Sequence, residues 1–294
     1  MEGFFLEGLL SSAAPLMLAA LGALLSDLSG TLGIFIEGFM ISGTFFSWVF
    51  AGWTGSVFWG VVLSALLAAL AGWALARFVA LSRANPFIAG LALNLAASGV
   101  VLSLSASWFG TRGVLQNPLI AIPGPVIIPL LNSIPVIGSL LSGHSPFAYT
   151  ALACAITIAV FLKRTVPGYR LRASGLSPET ASERGIRLGL YREGAWAAAA
   201  FLASLAGAAL TFRTGAYVPG GAAGRGWIAL AAVYLGFRKV WGVVIAAIVF
   251  TFAERLGFGI QGLGALPATI LLGLPYALAL LFYFLSLFFW KQKE

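Results

Sequence analysis

The stretch Ser177-Pro178-Glu179-Thr180-Ala181-Ser182-Glu183-Arg184-Gly185-Ile186 decides how this chain is read. It lies in a polar break, residues 163–193, that carries Lys163, Arg164, Arg170, Arg172, Arg184, Arg187 and Arg192. Apolar runs flank the break at 147–162 and 194–213. Inside it is a compact helix signature. Ser177 suits an N-cap, Pro178 the first helical position, and Glu179 complements the positive end of the helix dipole. Gly185 can close the helix, which leaves about two turns over 177–185. Ala181 lies one turn from Ser177 and one from Gly185, so the three share a face. Two readings stand. The break is either a docking platform for a soluble partner or a solvated loop that only sets topology.

Composition narrows the class. Of 294 residues, 60% are hydrophobic and 9% charged, against about 25% charged in soluble domains. Mean hydropathy is +0.99. That much apolar surface cannot be hidden from water, so the chain reads as one all-α integral membrane domain over 1–294. The net charge of +8 is scattered through short loops, as orientation signals are, and does not indicate nucleic-acid binding. Cys154 is the single cysteine, which excludes an internal disulfide; in its apolar run it reads as a buried, inert thiol. His144 is the single histidine, so no histidine-based metal site is expected, and Gly143-His144-Ser145-Pro146 reads as a turn. The first residues carry Glu2 and Glu7 and lack the basic region of a cleavable signal, so the first apolar segment is expected to be retained.

Working outward, apolar segments lie near 8–26, 31–51, 55–80, 86–108, 147–162, 194–213, 226–237, 240–258 and 266–290. The seventh is short enough for a broken or re-entrant helix, so the bundle has eight or nine transmembrane helices. With nine, the basic sites at Arg77 and Arg83, at 163–193, at Arg238 and Lys239, and at Lys291 and Lys293 all fall on one side. That side becomes the cytoplasm, with the N-terminus outside and the C-terminus inside. Arg112, Arg213, Arg225 and Arg255 run against this pattern. The outer loop 109–146 holds six of the 13 prolines and is expected to form a rigid cap on the outer surface. Trp48, Trp53, Trp59, Trp108, Trp227 and Trp290 fall near predicted span ends, where interfacial anchoring accounts for them.

Four stretches carry a family resemblance. They are Glu37-Gly38-Phe39-Met40-Ile41-Ser42-Gly43, Asn85-Pro86-Phe87-Ile88-Ala89-Gly90-Leu91-Ala92-Leu93-Asn94-Leu95, and Leu171-Arg172-Ala173-Ser174-Gly175 running into Ser177-Pro178. The fourth is Ala223-Gly224-Arg225-Gly226-Trp227-Ile228-Ala229-Leu230-Ala231-Ala232, with Leu274-Pro275-Tyr276 near the end. In this order they resemble the permeases of bacterial ABC importers for simple sugars and nucleosides, above all the shorter nucleoside permease. The resemblance implies a type II-like importer permease in the bacterial inner membrane. It also implies cytoplasmic ATPase subunits that bind ATP and Mg, a second permease chain, an extracytoplasmic substrate-binding lipoprotein and surrounding lipid. It places the coupling helix at Ser177, Pro178, Glu179, Ala181, Arg184 and Gly185. Phe35, Glu37, Met40, Asn94 and Trp227 become candidates for the translocation pathway. The family's second-span motif often reads Asn-Ile-Gly-x-Glu-Gly; here Gly33 replaces the Asn and Phe35 the Gly.

The residues agree on one point and leave others open. No Gly-x-x-x-x-Gly-Lys-[Ser/Thr] loop occurs, so no P-loop ATPase site, and no cofactor, is expected in this chain. A carboxylate within a span costs at least about 2.5 kcal/mol, so Glu37 is either a pathway residue or an interhelical packing bond. Asn94 carries the same pair of readings. Phe35 and Trp227 are either nucleobase contacts or core. Glu254 and Arg255 suggest a salt-bridged helix end. Nucleosides are the substrate implied, with riboflavin and ribose-type sugars as alternatives. An ion-coupled secondary transporter would want several acidic groups at mid-depth, and only Glu37 is placed there.

Overall fold

The structure, a computed structural model, describes residues 8–117, 120, 122–126 and 142–261. Four helices come first: α1 (Leu9–Leu28), α2 (Ile36–Thr54), α3 (Val57–Ser82) and α4 (Pro86–Phe109). After β1 (Leu115–Gln116) come α5 (Pro146–Arg164), α6 (Val166–Leu176), α7 (Pro178–Glu183) and α8 (Leu188–Thr214). Then follow β2 (Ala216–Tyr217), α9 (Arg225–Leu235) and α10 (Val240–Gln261). Six helices, α1, α3, α4, α5, α8 and the Val240–Gly257 part of α10, are long and apolar enough to cross a membrane. Two further predicted spans form α2, of 19 residues, and α9, of 11. The expected span 266–290 lies outside the described residues, with Leu274-Pro275-Tyr276, Trp290, Lys291 and Lys293.

The centre is α8 against α1, α2 and α3. The best membrane-crossing windows of α1 and α8 are 83% and 72% buried, whereas those of α3, α4 and α5 bury only 22% to 28%. The latter three therefore turn apolar faces outward, where lipid or another membrane chain can meet them. Small residues allow the central approach. A Cβ on Gly43 of α2 would fall 2.5 Å from the Ser204 carbonyl oxygen of α8, and one on Gly207 of α8 would collide with the Met40 carbonyl of α2. Thr211 Oγ1 donates to the Thr44 carbonyl of α2 at 2.9 Å, and the Ser204 hydroxyl pairs with that of Ser64 on α3 at 2.9 Å, so polar contacts fix the register of α8 against both helices.

The break at 163–193 is more helical than the sequence suggests. α5 runs to Arg164, and the Thr165 hydroxyl accepts from Gly168 N–H at 3.2 Å to cap α6. α8 begins at Leu188, six residues before the apolar run, because nothing in 188–193 interrupts a helix. In the 109–146 segment, β1 pairs antiparallel with β2, and Val126 bridges to His144. His144 is buried and its Nδ1 lies 3.2 Å from Ser11 Oγ, so the residue after the Gly143 bend packs against α1. Residues 127–141 of the expected cap lie outside the described region. Trp48 is buried in the core, unlike exposed Trp53, Trp59 and Trp108, because it faces inward against Phe109. Cys154 is half-buried.

Gly207→Val should destabilise the protein by on the order of 1–3 kcal/mol, as overpacking does. Thermal unfolding of the detergent-solubilised protein measures this; an unchanged midpoint would show that α2 and α8 do not need their close approach.

Candidate functional site

Two places gather the candidate residues. The first is a junction of helix ends. α9 has 11 residues, about 16 Å at 1.5 Å per residue, roughly half of a 30 Å hydrocarbon core. Its N-terminus meets that of α2. Glu37 stands in the first turn of α2, and its Oε1 accepts from the Gly224 N–H, just before α9, at 3.0 Å. A Cβ on Gly226 would fall 2.5 Å from Glu37 Cβ, so the two backbones touch and only glycine fits. Asn94 reaches in from α4: its Oδ1 accepts from Gly38 N–H at 2.7 Å and its Nδ2 donates to the Ile34 carbonyl at 2.8 Å. Helix starts leave N–H groups unpaired, and here two side chains take up one each. Glu37 Oε2 is buried without a hydrogen-bond partner among the described residues.

The remaining pathway candidates separate. Phe35 is fully buried, its ring 4.5 Å from that of Trp196 and edge-on to Phe39. Met40 is fully buried as well. In this conformation both are core residues, because the turn before α2 tucks inward under α8; Trp196 Nε1 ties it there by donating to Thr31 Oγ1 at 2.6 Å. Trp227 is 43% exposed. Glu254 pairs with Arg225 at 3.7 Å, not with its neighbour Arg255, since adjacent residues on a helix point apart.

The second place is the end that carries α6 and α7. Ser177 occupies the N-cap position of α7, but its hydroxyl makes no cap bond; Pro178 begins the helix. At the far end Ile186 N–H reaches the Ala181 carbonyl at 3.0 Å and Gly185 N–H reaches that of Ser182 at 2.9 Å. With Gly185 at φ +77°, this is a Schellman closure. α7 packs on α6 and the start of α8. Ala181 is buried, whereas Ser177, Glu179, Ser182, Glu183, Arg184 and Gly185 are exposed. The expectation that Ala181 shares an outward face with Ser177 and Gly185 is therefore corrected: it is the small apolar anchor that seats α7 on its own chain.

One contact here has no counterpart in the sequence reading. At the end of α1, Asp27 Oδ2 accepts from Arg238 Nε at 2.6 Å, the Asp27 carbonyl from Arg238 Nη2 at 3.3 Å, and Oδ1 from the Tyr234 hydroxyl at 3.4 Å. Arg238 belongs to the turn between α9 and α10, where it and Phe237 both have φ +54°. The α1 end also touches α6, for a Cβ on Gly30 would come 3.0 Å from Gly175 Cα. Two residues of opposite charge at span ends on one side were the available signal.

Membrane-crossing helices, a half-length helix whose start abuts that of another inside the bundle, and a short exposed helix at one end define a multi-pass membrane permease. The chain belongs to the branched-chain amino acid transport system / permease component family, whose pattern matches residues 5–290. It is similar to the guanosine ABC transporter permease protein of Bacillus subtilis, 32% identical over 92% of this chain and 87% of that one. It is also similar to the nucleoside ABC transporter permease protein of Lactococcus lactis, 29% identical over 92% of this chain and 87% of the other. A Haloferax volcanii permease provisionally named for glucose ABC transport is 28% identical over 88% of this chain and 79% of its own. No solved structure matches. The protein is thus a transport subunit of the ABC class, which works with ATPase and binding-protein partners.

Glu37→Gln keeps an acceptor for Gly224 N–H and should leave uptake within about twofold, whereas Glu37→Leu strands that donor at a cost of about 1–3 kcal/mol and should abolish uptake or assembly. Transport assays with membrane-yield controls decide this; normal uptake by the leucine variant would remove Glu37 from the account.

Proposed function

We propose that this chain forms half of the translocation pathway of an ATP-driven importer of nucleosides. The observation that carries the substrate is the likeness, over nearly the whole chain, to two permeases named for nucleosides and guanosine. The relative named for glucose favours a second reading, a simple-sugar importer. ATP and Mg are bound by the partner ATPases, since the chain has no phosphate loop. A second permease, of a different sequence, completes the pathway against the outward apolar faces. A lipoprotein delivers substrate to the end opposite α7.

The geometry supports a coupling route. α7 presents Glu179, Ser182 and Arg184 to an ATPase surface. α6 leads from it to Gly30 and Asp27 at the end of α1. Asp27 holds the α9–α10 turn through Arg238, and the start of α9 rests on Glu37. A push on α7 is then a push on α9. The α7 end faces the cytoplasm, in keeping with the basic residues around it, and the N-terminus lies outside.

The test is the complete transporter in proteoliposomes. Ser182→Trp and Arg184→Glu, both on the exposed face of α7, should insert normally but lose substrate-stimulated ATP hydrolysis and at least about tenfold of uptake, which is 1.4 kcal/mol of coupling. Ala181→Trp should instead lower the yield of folded protein. Wild-type stimulation in both exposed variants would reduce α7 to a charged surface turn.

For sidedness, a cysteine at Ser182 in a Cys154→Ala background should react with an impermeant maleimide only after the cells are opened. Labelling of intact cells would reverse the orientation.

A further inference from the structure

Arg213, Arg225 and Arg255 sit on the side where orientation signals disfavour them. The structure gives them a common place. Arg213 lies within electrostatic range of Arg225, Arg255 and Glu254, and Arg225 pairs with Glu254 at 3.7 Å. Arg213 itself forms no ion pair among the described residues. Arg213 and Arg225 line a cavity of about 280 Å³ together with Thr44, Thr211 and Thr214. Its lining residue Arg225 directly follows Gly224, which pairs with Glu37.

The hydroxyls of this cavity have a common polarity. Thr44 Oγ1 donates to the Ile41 carbonyl at 2.7 Å and Thr211 Oγ1 to that of Thr44 at 2.9 Å. Thr214 Oγ1 has the Ala216 carbonyl at 3.0 Å. Each proton is therefore committed to backbone, and a ligand meets threonine oxygens as acceptors. The donors that remain are guanidinium N–H groups. A ligand that fits must donate hydrogen bonds to the threonines and accept them from Arg213. A sugar ring with free hydroxyls does both. A phosphate dianion can only accept, and threonine lone pairs oppose it. The volume sits at the lower end of small-molecule sites, about 300 Å³, enough for one ring.

We propose that this cavity holds the sugar ring of the transported nucleoside, Thr214 accepting from a ribose hydroxyl and Arg213 donating to ring or hydroxyl oxygens. This rests on the nucleoside reading above. Thr214 is exposed, so its substitution should spare the fold.

The experiment is uptake of labelled guanosine and labelled 2′,3′-dideoxyguanosine by cells carrying the complete transporter, with guanosine 5′-monophosphate as competitor. Thr214→Val should raise the half-saturation concentration for guanosine at least about fivefold, leave that for the dideoxy compound within twofold, and be rescued by Thr214→Ser. Arg213→Gln should weaken guanosine uptake, and the monophosphate should not compete in the wild type. Equal effects on both nucleosides, failure of serine to rescue, or strong competition by the monophosphate would each overturn the proposal while leaving the nucleoside reading intact. Loss of uptake with unchanged selectivity in Arg213→Gln would make Arg213 a docking contact and also overturn it. No guanosine uptake by the wild type would sink the nucleoside reading, and this inference with it.

Discussion

A helix that ends inside a hydrocarbon layer leaves N–H groups that water cannot reach, and protein must supply the acceptors. This constraint governs the interior of the molecule. α2 and α9 both begin within the bundle. Glu37 serves the start of α9 and Asn94 that of α2, so two polar side chains meet needs that the interruptions create. Glycine at 226 lets the two starts touch. Each of these residues would be costly without the others: the carboxylate without a donor, the donor without an acceptor, and the contact with any side chain at 226.

Around that junction the packing is organised by α8. Its glycine and serine positions meet α2 closely enough that backbone lies on backbone, and hydroxyl contacts fix its register against α2 and α3. The outward faces of α3, α4 and α5 carry large apolar side chains such as Trp59, Leu70, Trp73 and Leu95. The centre is thus close-packed and the periphery open, as burial along the helices shows.

Much of this was legible because its causes are local. Apolar run length placed eight helices, six of them within three residues of their ends, while α2 starts five residues later and α8 six earlier than read; proline at the first position with glycine after the last bounded α7. What could not be read depends on residues far apart. Asp27 and Arg238 are separated by 211 positions, and Glu37 and Gly224 by 187. Spacing along one helix put Ala181 on a face with Ser177 and Gly185, but which face turns outward depends on α6 and α8. Phe35 occupies a place where the family pattern has glycine, and periodicity gives no hint that Trp196 packs against it at a tilt. The arginines at 213, 225 and 255 looked like exceptions to a charge rule until their convergence was visible.

The turn that Arg238 closes is held against a bias of its own. Phe237 and Arg238 both adopt left-handed backbone angles, each costing roughly 1–2 kcal/mol for a residue other than glycine. The charged hydrogen bonds to Asp27 return about 1.5–3 kcal/mol apiece at best, less where Arg238 meets solvent. The turn between α9 and α10 is therefore shaped in part from α1, through Asp27, as well as by its own backbone hydrogen bonds.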